Sequence, residues 1–392
     1  MSNSKAGDRD CILPFFEPDH LIFRERAHRW VDETIVSPKR QDKTLEERAI
    51  ELVRELGASG FLKHAVPEEF GGIRATVQTR DLCTLREELA RGDALADTMF
   101  AMQALGSYPI TLAGDREQKS RFLPPIGKGD CVAAFAITES EAGSDVASLQ
   151  TRAVRRGNEF CLTGTKSFIS NAGVADCYVV FASTEPEKKS KGISAFVIET
   201  KTPGLVVKEK TELLSPHPIG VIKFDECVVT QDALLGREGQ GLQIAFETLD
   251  LLRCTVGAAA VGFARRALEE AIGYSKVRRQ FGRAIAEFQA TEFKLAEMAT
   301  ELEAAKLLVY QAAWTHDRAA KDAKQKSSMA KYYATEAAQR IVDQALQIHG
   351  GSGLIAGSIM ERLYRDVRAL RIYEGTSEIQ KVIIARSLLK KS

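Results

Sequence analysis

Near the end of the chain, Arg371-Ile372-Tyr373-Glu374-Gly375-Thr376-Ser377-Glu378-Ile379-Gln380 sets one acid between an aromatic ring and a glycine, just ahead of an apolar stripe begun by Ile379, Val382 and Ile383. Two readings fit this run. In the plainer one Glu374 is a solvated turn acid, Ser377 and Gln380 form an S-x-x-Q capping box, and Gly375 closes the preceding segment. In the other, the N–H groups at the helix start attract electron-rich ligand atoms, and a carboxylate beside Tyr373 is desolvated into a stronger base. A capping box leaves room for a base next to it, so local pattern keeps both readings open.

Other stretches carry chemistry of a milder kind. Ala136-Ile137-Thr138-Glu139-Ser140-Glu141-Ala142-Gly143-Ser144-Asp145 is a strand end running into a hydroxyl-rich turn. It reads as a surface loop with Asx and Ser turns, or as a shelf whose N–H groups and hydroxyls (Thr138, Ser144) bond an electron-rich ring. Phe168-Ile169-Ser170-Asn171 places a ring and then a hydroxyl at another strand end, which suits a planar ligand. Arg278 and Phe281 are three residues apart and share a face, where a guanidinium could meet a pyrophosphate beside a ring; the plain alternative is a solvated helix end. In Gln347-Ile348-His349-Gly350-Gly351, Gly350 reads as a C-cap, and paired glycines also admit a ligand to the backbone. Gly236-x-x-Gly239-x-Gly241 lacks a Walker lysine and a βαβ setting, so a flexible hinge is expected there.

The elements that must position these residues change character twice. From about Leu21 to Gly114 the period is helical: Leu45, Ala49, Leu52, Val53 and Leu56 make one stripe, and Val77, Leu82, Leu85 and Leu89 another. Between Cys131 and Val229 come short β-rich runs, among them Cys131–Ile137, Phe160–Thr163, Cys177–Ala182, Ile193–Ile198, Leu205–Val207 and Val221–Phe224, spaced as in an antiparallel sandwich or barrel. After Gly241 long amphipathic helices return and predict a bundle. The expected domains are residues 1–130 (helical), 131–233 (antiparallel β) and 234–392 (helical).

Composition narrows the class. The 392 residues, 44% hydrophobic and 27% charged with net charge +1, describe a globular protein of about two or three domains. That balance gives no general reason to expect nucleic acid as a partner. No apolar run reaches membrane-span length, and the polar start Met1 to Asp10 resembles neither a signal nor a transit peptide, so a cytoplasmic home is expected. Seven scattered cysteines, Cys11 among them, without a C-x-x-C pair read as reduced thiols, and the six histidines suggest no metal site.

Order and spacing together are more specific than any single motif. Thr138 to Asp145, Arg278-x-x-Phe281-Gly282, Gln347 to Gly351 and Tyr373 to Gln380 give the chain a resemblance to the acyl-CoA dehydrogenase family, over roughly Asp19 to Leu389. The resemblance implies a mainly α fold: an N-terminal helical domain, a middle β barrel or sandwich and a C-terminal four-helix bundle, with bound FAD and a homotetramer. It makes Glu374 the base that removes the α-proton of an acyl-CoA thioester while flavin N5 accepts the β-hydride, leaving a trans-2-enoyl-CoA. Some members take the base from the long helix, at the position of Leu252, and leucine cannot serve.

By the same matching Phe135, Ile137, Thr138 and Ser144 line the flavin, and Ser144 also nears the substrate's phosphate arm. Phe168, Ile169 and Ser170 cover the flavin's other side, Ser170 bonding N5. Arg278, Phe281 and Gln289, with Gln347, Gly350 and Gly351, meet the pyrophosphate and adenosine of an FAD shared between subunits, and Thr376, Ser377 and Glu378 also touch FAD. Asp250, Arg253, Tyr373 and Gly375 line the CoA and acyl channel. Electrons would leave through an electron-transferring flavoprotein.

The sequence departs from the family pattern in places. Phe168 stands where many members have tryptophan, and Ser170 where many have threonine. Pro216-His217-Pro218-Ile219 replaces a hydroxyl-containing loop, with His217 read as a solvated loop residue in preference to a substrate determinant. No arginine stands between Leu95 and Ser107, where glutaryl-CoA members keep one. An acyl-CoA oxidase or flavin monooxygenase on the same fold is the neighbouring alternative, and a non-catalytic helical oligomer the distant one.

Overall fold

The computed structural model of the chain describes residues 13–36 and 43–389; the polar start and Cys11 lie outside the described residues. Helices come first: α1 (Pro18–Trp30), α2 (Leu45–Ala58), α3 (Thr79–Gly92), α4 (Ala94–Ala113) and α5 (Arg116–Lys128). Strands follow: β1 (Ala133–Ala136), β2 (Arg152–Arg156), β3 (Glu159–Ser170), β4 (Cys177–Ser183), β5 (Ile193–Glu199), β6 (Leu205–Lys210), β7 (Ile219–Thr230) and β8 (Leu234–Leu235). Then come α6 (Gly241–Val277), α7 (Gln289–Asp317), α8 (Ala323–His349), α9 (Ile359–Ala369) and α10 (Ser377–Leu389). This is the helical, β, helical order read from the sequence. The described residues gather into two compact units, one built from 13–36, 79–97 and 250–389, the other from 43–78 and 98–249.

The second unit holds the sheet, with strand order β6-β7-β3-β2-β4-β5-β8. Its pairings are antiparallel except at β1, which runs parallel to β4, and at Arg152, which bridges Ser183 in parallel. The sheet is therefore mixed, where a wholly antiparallel one was expected. Parallel neighbours need a crossover, and the long excursion through the β2–β3 hairpin supplies it between β1 and β4. In β3 the register against β7 shifts between Lys166 and Ile169, and inside that irregularity Phe168 adopts φ +55°. Such a bulge re-aims a side chain out of the strand. The Gly236–Gly241 run is a packed turn in place of the expected hinge: Gly239 N–H donates to Ser194 Oγ at 2.9 Å, and a Cβ on Gly241 would lie 2.5 Å from the Ser194 carbonyl carbon.

In the first unit, α6, α7, α8 and α9 share one core, to which Ala260, Val309, Tyr310, Ala334, Ile341 and Val367 contribute. Small residues let backbones come close. A Cβ on Gly262 would sit 2.2 Å from the Glu87 carbonyl oxygen, so α6 meets α3 main chain to main chain. α3 is buried on nearly every side, and its acids are matched by cations. Glu87 accepts from Arg24 at 3.0 Å and Arg265 at 2.6 Å; Glu88 accepts from Arg265 at 2.6 Å and Arg91 at 3.1 Å. Breaking such a buried network by removing one partner costs about 3–5 kcal/mol. Cys83, Cys161, Cys177, Cys227 and Cys254 are buried free thiols, and Cys131 is half-buried.

Candidate active site

Glu374 lies in the turn between α9 and α10. Its own φ is +53° and that of Gly375 is +89°, so a non-glycine residue is held in the left-handed region. That costs on the order of 1–3 kcal/mol and persists only where surroundings over-determine it. Here they do. The Lys331 amine on α8 donates to Tyr373 O at 2.7 Å and to Gly375 O, and the Gln380 amide donates to Gly375 O at 2.9 Å. Ser377 donates to Glu336 Oε1 at 2.6 Å, and Arg371 to the same oxygen at 2.9 Å. The expected Ser377–Gln380 capping box is not the one used. α10 starts at Ser377, so the cap falls one residue earlier: Thr376 Oγ1 accepts from the Ile379 N–H at 3.4 Å, and Gln380 turns inward to the carbonyls.

The Glu374 side chain is only 7% exposed, and its Oε1 lies 3.9 Å from Arg86 Nη1. Its Oε2 is buried without a hydrogen-bond partner. Burial pushes this carboxyl above the ordinary range; Arg86, Lys331 and Arg253 pull the other way, and Asp97 adds to the rise. Burial is the largest influence, and the nearby cations have other anions or carbonyls to serve. Arg86 on α3 forks onto Asp97 with two contacts of 2.8 Å and donates to Thr255 Oγ1 at 3.0 Å. Arg253 on α6 pairs with Asp250, which also meets Lys324 at 2.9 Å. Lys331 itself is pushed down to about 7 by its burial, against the opposing pull of Glu374. The turn thus presents a desolvated acid with a free lone pair, the property wanted of a proton acceptor.

Asp250, Arg253, Tyr373, Glu374 and Gly375 therefore belong to one neighbourhood. Arg278, Phe281, Gln289, Gln347, Gly350 and Gly351 lie on the same unit, around the ends of α6 and α8 and the start of α7. Phe281 is 93% exposed at φ +52°, and the ends of α6 and α8 are joined by a stack of Tyr274 on His349 with ring centres 4.4 Å apart. No heavy atom lies within 4 Å of where a Cβ on Gly350 or Gly351 would sit, so this backbone is open to a ligand. Thr376 is half-buried, Ser377 buried and Glu378 exposed.

The remaining candidates lie on the sheet unit. Ser167 N–H donates to Thr138 O at 2.9 Å, which ties the two expected ring-binding stretches together. Phe168 is 59% exposed, and Thr138 and Ser170 are half-buried with Ser144 exposed. Phe135, Ile137 and Ile169 are buried, so a ligand would meet their main chain in preference to their side chains. Beneath the turn, Glu139 pairs with buried Lys166 at 2.8 Å and accepts from Gln150 N–H at 2.6 Å and Thr151 N–H at 3.0 Å.

His217 is not the solvated loop residue expected. Its Nε2 lies 3.0 Å from Ser170 Oγ, and burial lowers its pKa. Sequence reasoning also missed Arg86, Asp97, Thr255 and Lys331. For the three charged ones the available signal was charge within segments of apolar or small residues, as in Leu85-Arg86-Glu87-Glu88-Leu89 and Ala330-Lys331; Thr255 offered none.

Comparison with known proteins adds a family context. Three profiles match in order: the acyl-CoA dehydrogenase N-terminal domain over residues 17–130, the middle domain over 134–227 and the C-terminal domain over 239–389. A 3-(aryl)acrylate reductase of Clostridium sporogenes is 40% identical over 96% of this chain and 100% of its own length. An acyl-CoA dehydrogenase of Bacillus subtilis is 41% identical over 95% of this chain and 98% of its own. The butyryl-CoA dehydrogenase structure from Megasphaera elsdenii superposes with a TM-score of 0.89 at 34% identity, covering 95% of this chain and 99% of that one.

Proposed function

The chain belongs to the acyl-CoA dehydrogenase family, and from that premise we propose that it oxidises the α,β-carbon pair of an acyl-CoA thioester to the trans-2-enoyl-CoA, with Glu374 removing the α-proton. The observation that carries this reading is the buried Glu374 carboxylate with one unpartnered oxygen. An α-proton of a thioester is weakly acidic, so its acceptor must be a stronger base than a solvated carboxylate, and burial makes Glu374 one. The clamp from Lys331 and Gln380 fixes where that oxygen points. The Glu374 N–H polarises the thioester carbonyl as negative charge develops on its oxygen.

FAD is the cofactor, and when bound it supplies the acceptor for the β-hydride. The residues present fit it. An exposed Phe168 ring with the Ser170 hydroxyl two residues on, and the hydroxyl-rich Thr138–Ser144 turn tied to the same strand by the Ser167 N–H, suits a planar heterocycle, and Arg278 and the open Gly350-Gly351 backbone suit a pyrophosphate. Arg253, held by Asp250, orients the CoA portion of the substrate. An electron-transferring flavoprotein takes the electrons, and the working assembly is a homotetramer.

The test is anaerobic bleaching of the yellow protein by a panel of acyl-CoA thioesters. Glu374→Gln should retain FAD and lose bleaching by about a thousandfold; unimpaired bleaching by that variant would remove Glu374 from its role. The similarity to the 3-(aryl)acrylate reductase favours a second reading, the same residues working in the reducing direction, with Glu374 delivering the proton to Cα. Consumption of an aryl acryloyl thioester by the dithionite-reduced protein, without bleaching by any saturated acyl-CoA, would select it.

A further inference from the structure

Arg86 is a buried guanidinium on α3 with a buried carboxylate, Glu374, as its neighbour, yet the two do not join. Left to itself, such a pair closes into a two-point contact that fixes the carboxylate in its charged form. Asp97 prevents this by taking Nε and Nη2 at 2.8 Å each, and Thr255 Oγ1 takes Nη1 at 3.0 Å. What remains toward Glu374 is one nitrogen at 3.9 Å, beyond hydrogen-bond reach. We propose that Arg86 and Asp97 act as a positioning pair for Glu374, with Asp97 restraining the guanidinium so that the carboxylate keeps its affinity for a proton. None of the sequence signatures contains either residue. The catalytic consequence rests on Glu374 being the base; the electrostatic coupling does not.

The Tyr373 hydroxyl also bonds Arg86, and the other charged groups facing Glu374 each have a partner besides it, Arg253 keeping only its Nε unpartnered. Arg253 is taken by Asp250, with Lys324 behind it, and Lys331 is spent on the Tyr373 and Gly375 carbonyls. Glu336 is occupied by Arg371 and Ser377. Arg86 is the strongest of the opposing cations, so loosening its restraint should have the largest effect.

The test is an infrared difference titration of the buried carboxyl in the full-length FAD-loaded protein, with Glu374→Gln as blank. Asp97→Asn should lower the Glu374 midpoint by about one pH unit or more, since it frees the guanidinium and removes a like charge. The double variant R86M/D97N should move it the opposite way, to or above the wild-type midpoint, because the stronger influence is gone. General damage would shift both variants in one direction, and that outcome, or an unmoved midpoint in folded D97N, overturns the proposal. Should D97N fail to fold, the double variant carries the test alone, and a midpoint below wild type refutes it. Bleaching kinetics measured alongside should follow the same order along pH. A titration that shifts while the bleaching profile stays put keeps the pair and removes Glu374 as base.

Discussion

Glu139 and Glu374 are equally hidden, each with a side chain 7% exposed, and they have opposite fates. Burial pushes Glu139 up too, but the Lys166 charge and the hydrogen bonds from Lys166, Thr151 and Gln150 outweigh it and hold this carboxyl below its usual range. Glu374 has no comparable donors and is held above. Removal from water therefore does not by itself make a base. What separates a structural carboxylate from a reactive one is whether the surrounding donors are still free to reach it. The sheet unit spends its buried acid on anchoring the turn after β1; the helical unit engages its cations elsewhere and leaves its acid incomplete.

This contrast can be broken in four ways. The largest effect is the loss of bleaching in Glu374→Gln, about a thousandfold, for which Glu139→Gln has no direct counterpart. Glu139→Gln should instead cost about 3–5 kcal/mol of stability in urea unfolding, since Lys166 is left buried without its anion; Glu374→Gln should cost less than 1 kcal/mol, or about nothing, having no partner to strand. If the two variants unfold alike, the contrast fails.

The third concerns pH. Glu374 must be ionised to accept a proton, so bleaching should fade as pH drops through its raised value, on an acid limb lying above 4.5, read by stopped flow. The stability signs are opposed. Glu139, lowered on folding, contributes stability above its unfolded value and loses it only as pH falls through the still lower folded one. Glu374, raised on folding, contributes while protonated, and that contribution fades as pH rises through its folded value.

The smallest is Lys331→Met, which leaves the Tyr373 and Gly375 carbonyls without the amine. Loosening of the turn should lower kcat about tenfold with KM little changed. A KM effect alone would place Lys331 in binding instead.

Much of this molecule was legible in one dimension. The stripe of α2, the strand runs of β4 and β5 and the Tyr373–Gln380 signature are local patterns, and local patterns survive folding. β2 was invisible because Arg152-Ala153-Val154-Arg155-Arg156 buries only Ala153, so no alternation announces it. The turn of Phe168 out of β3 depends on how β3 lines up with β7, which no single segment encodes. Arg86 and Glu374 are brought together from opposite parts of the chain, and neither Asp97 nor Thr255 belongs to a motif. His217 was misjudged for the same reason: it sits in the loop before β7, and its partner Ser170 is the last residue of β3.

One consequence follows from the crowding of α3, where Arg86 tends the acid turn while Glu87 and Glu88 bind Arg24, Arg91 and Arg265 and the backbone rests against Gly262. Three consecutive codons thus carry two unrelated duties, reactivity and cohesion. A lineage adapting its chemistry at the first of them has the foundations of the bundle as immediate neighbours, with no spare turn of helix in which to experiment.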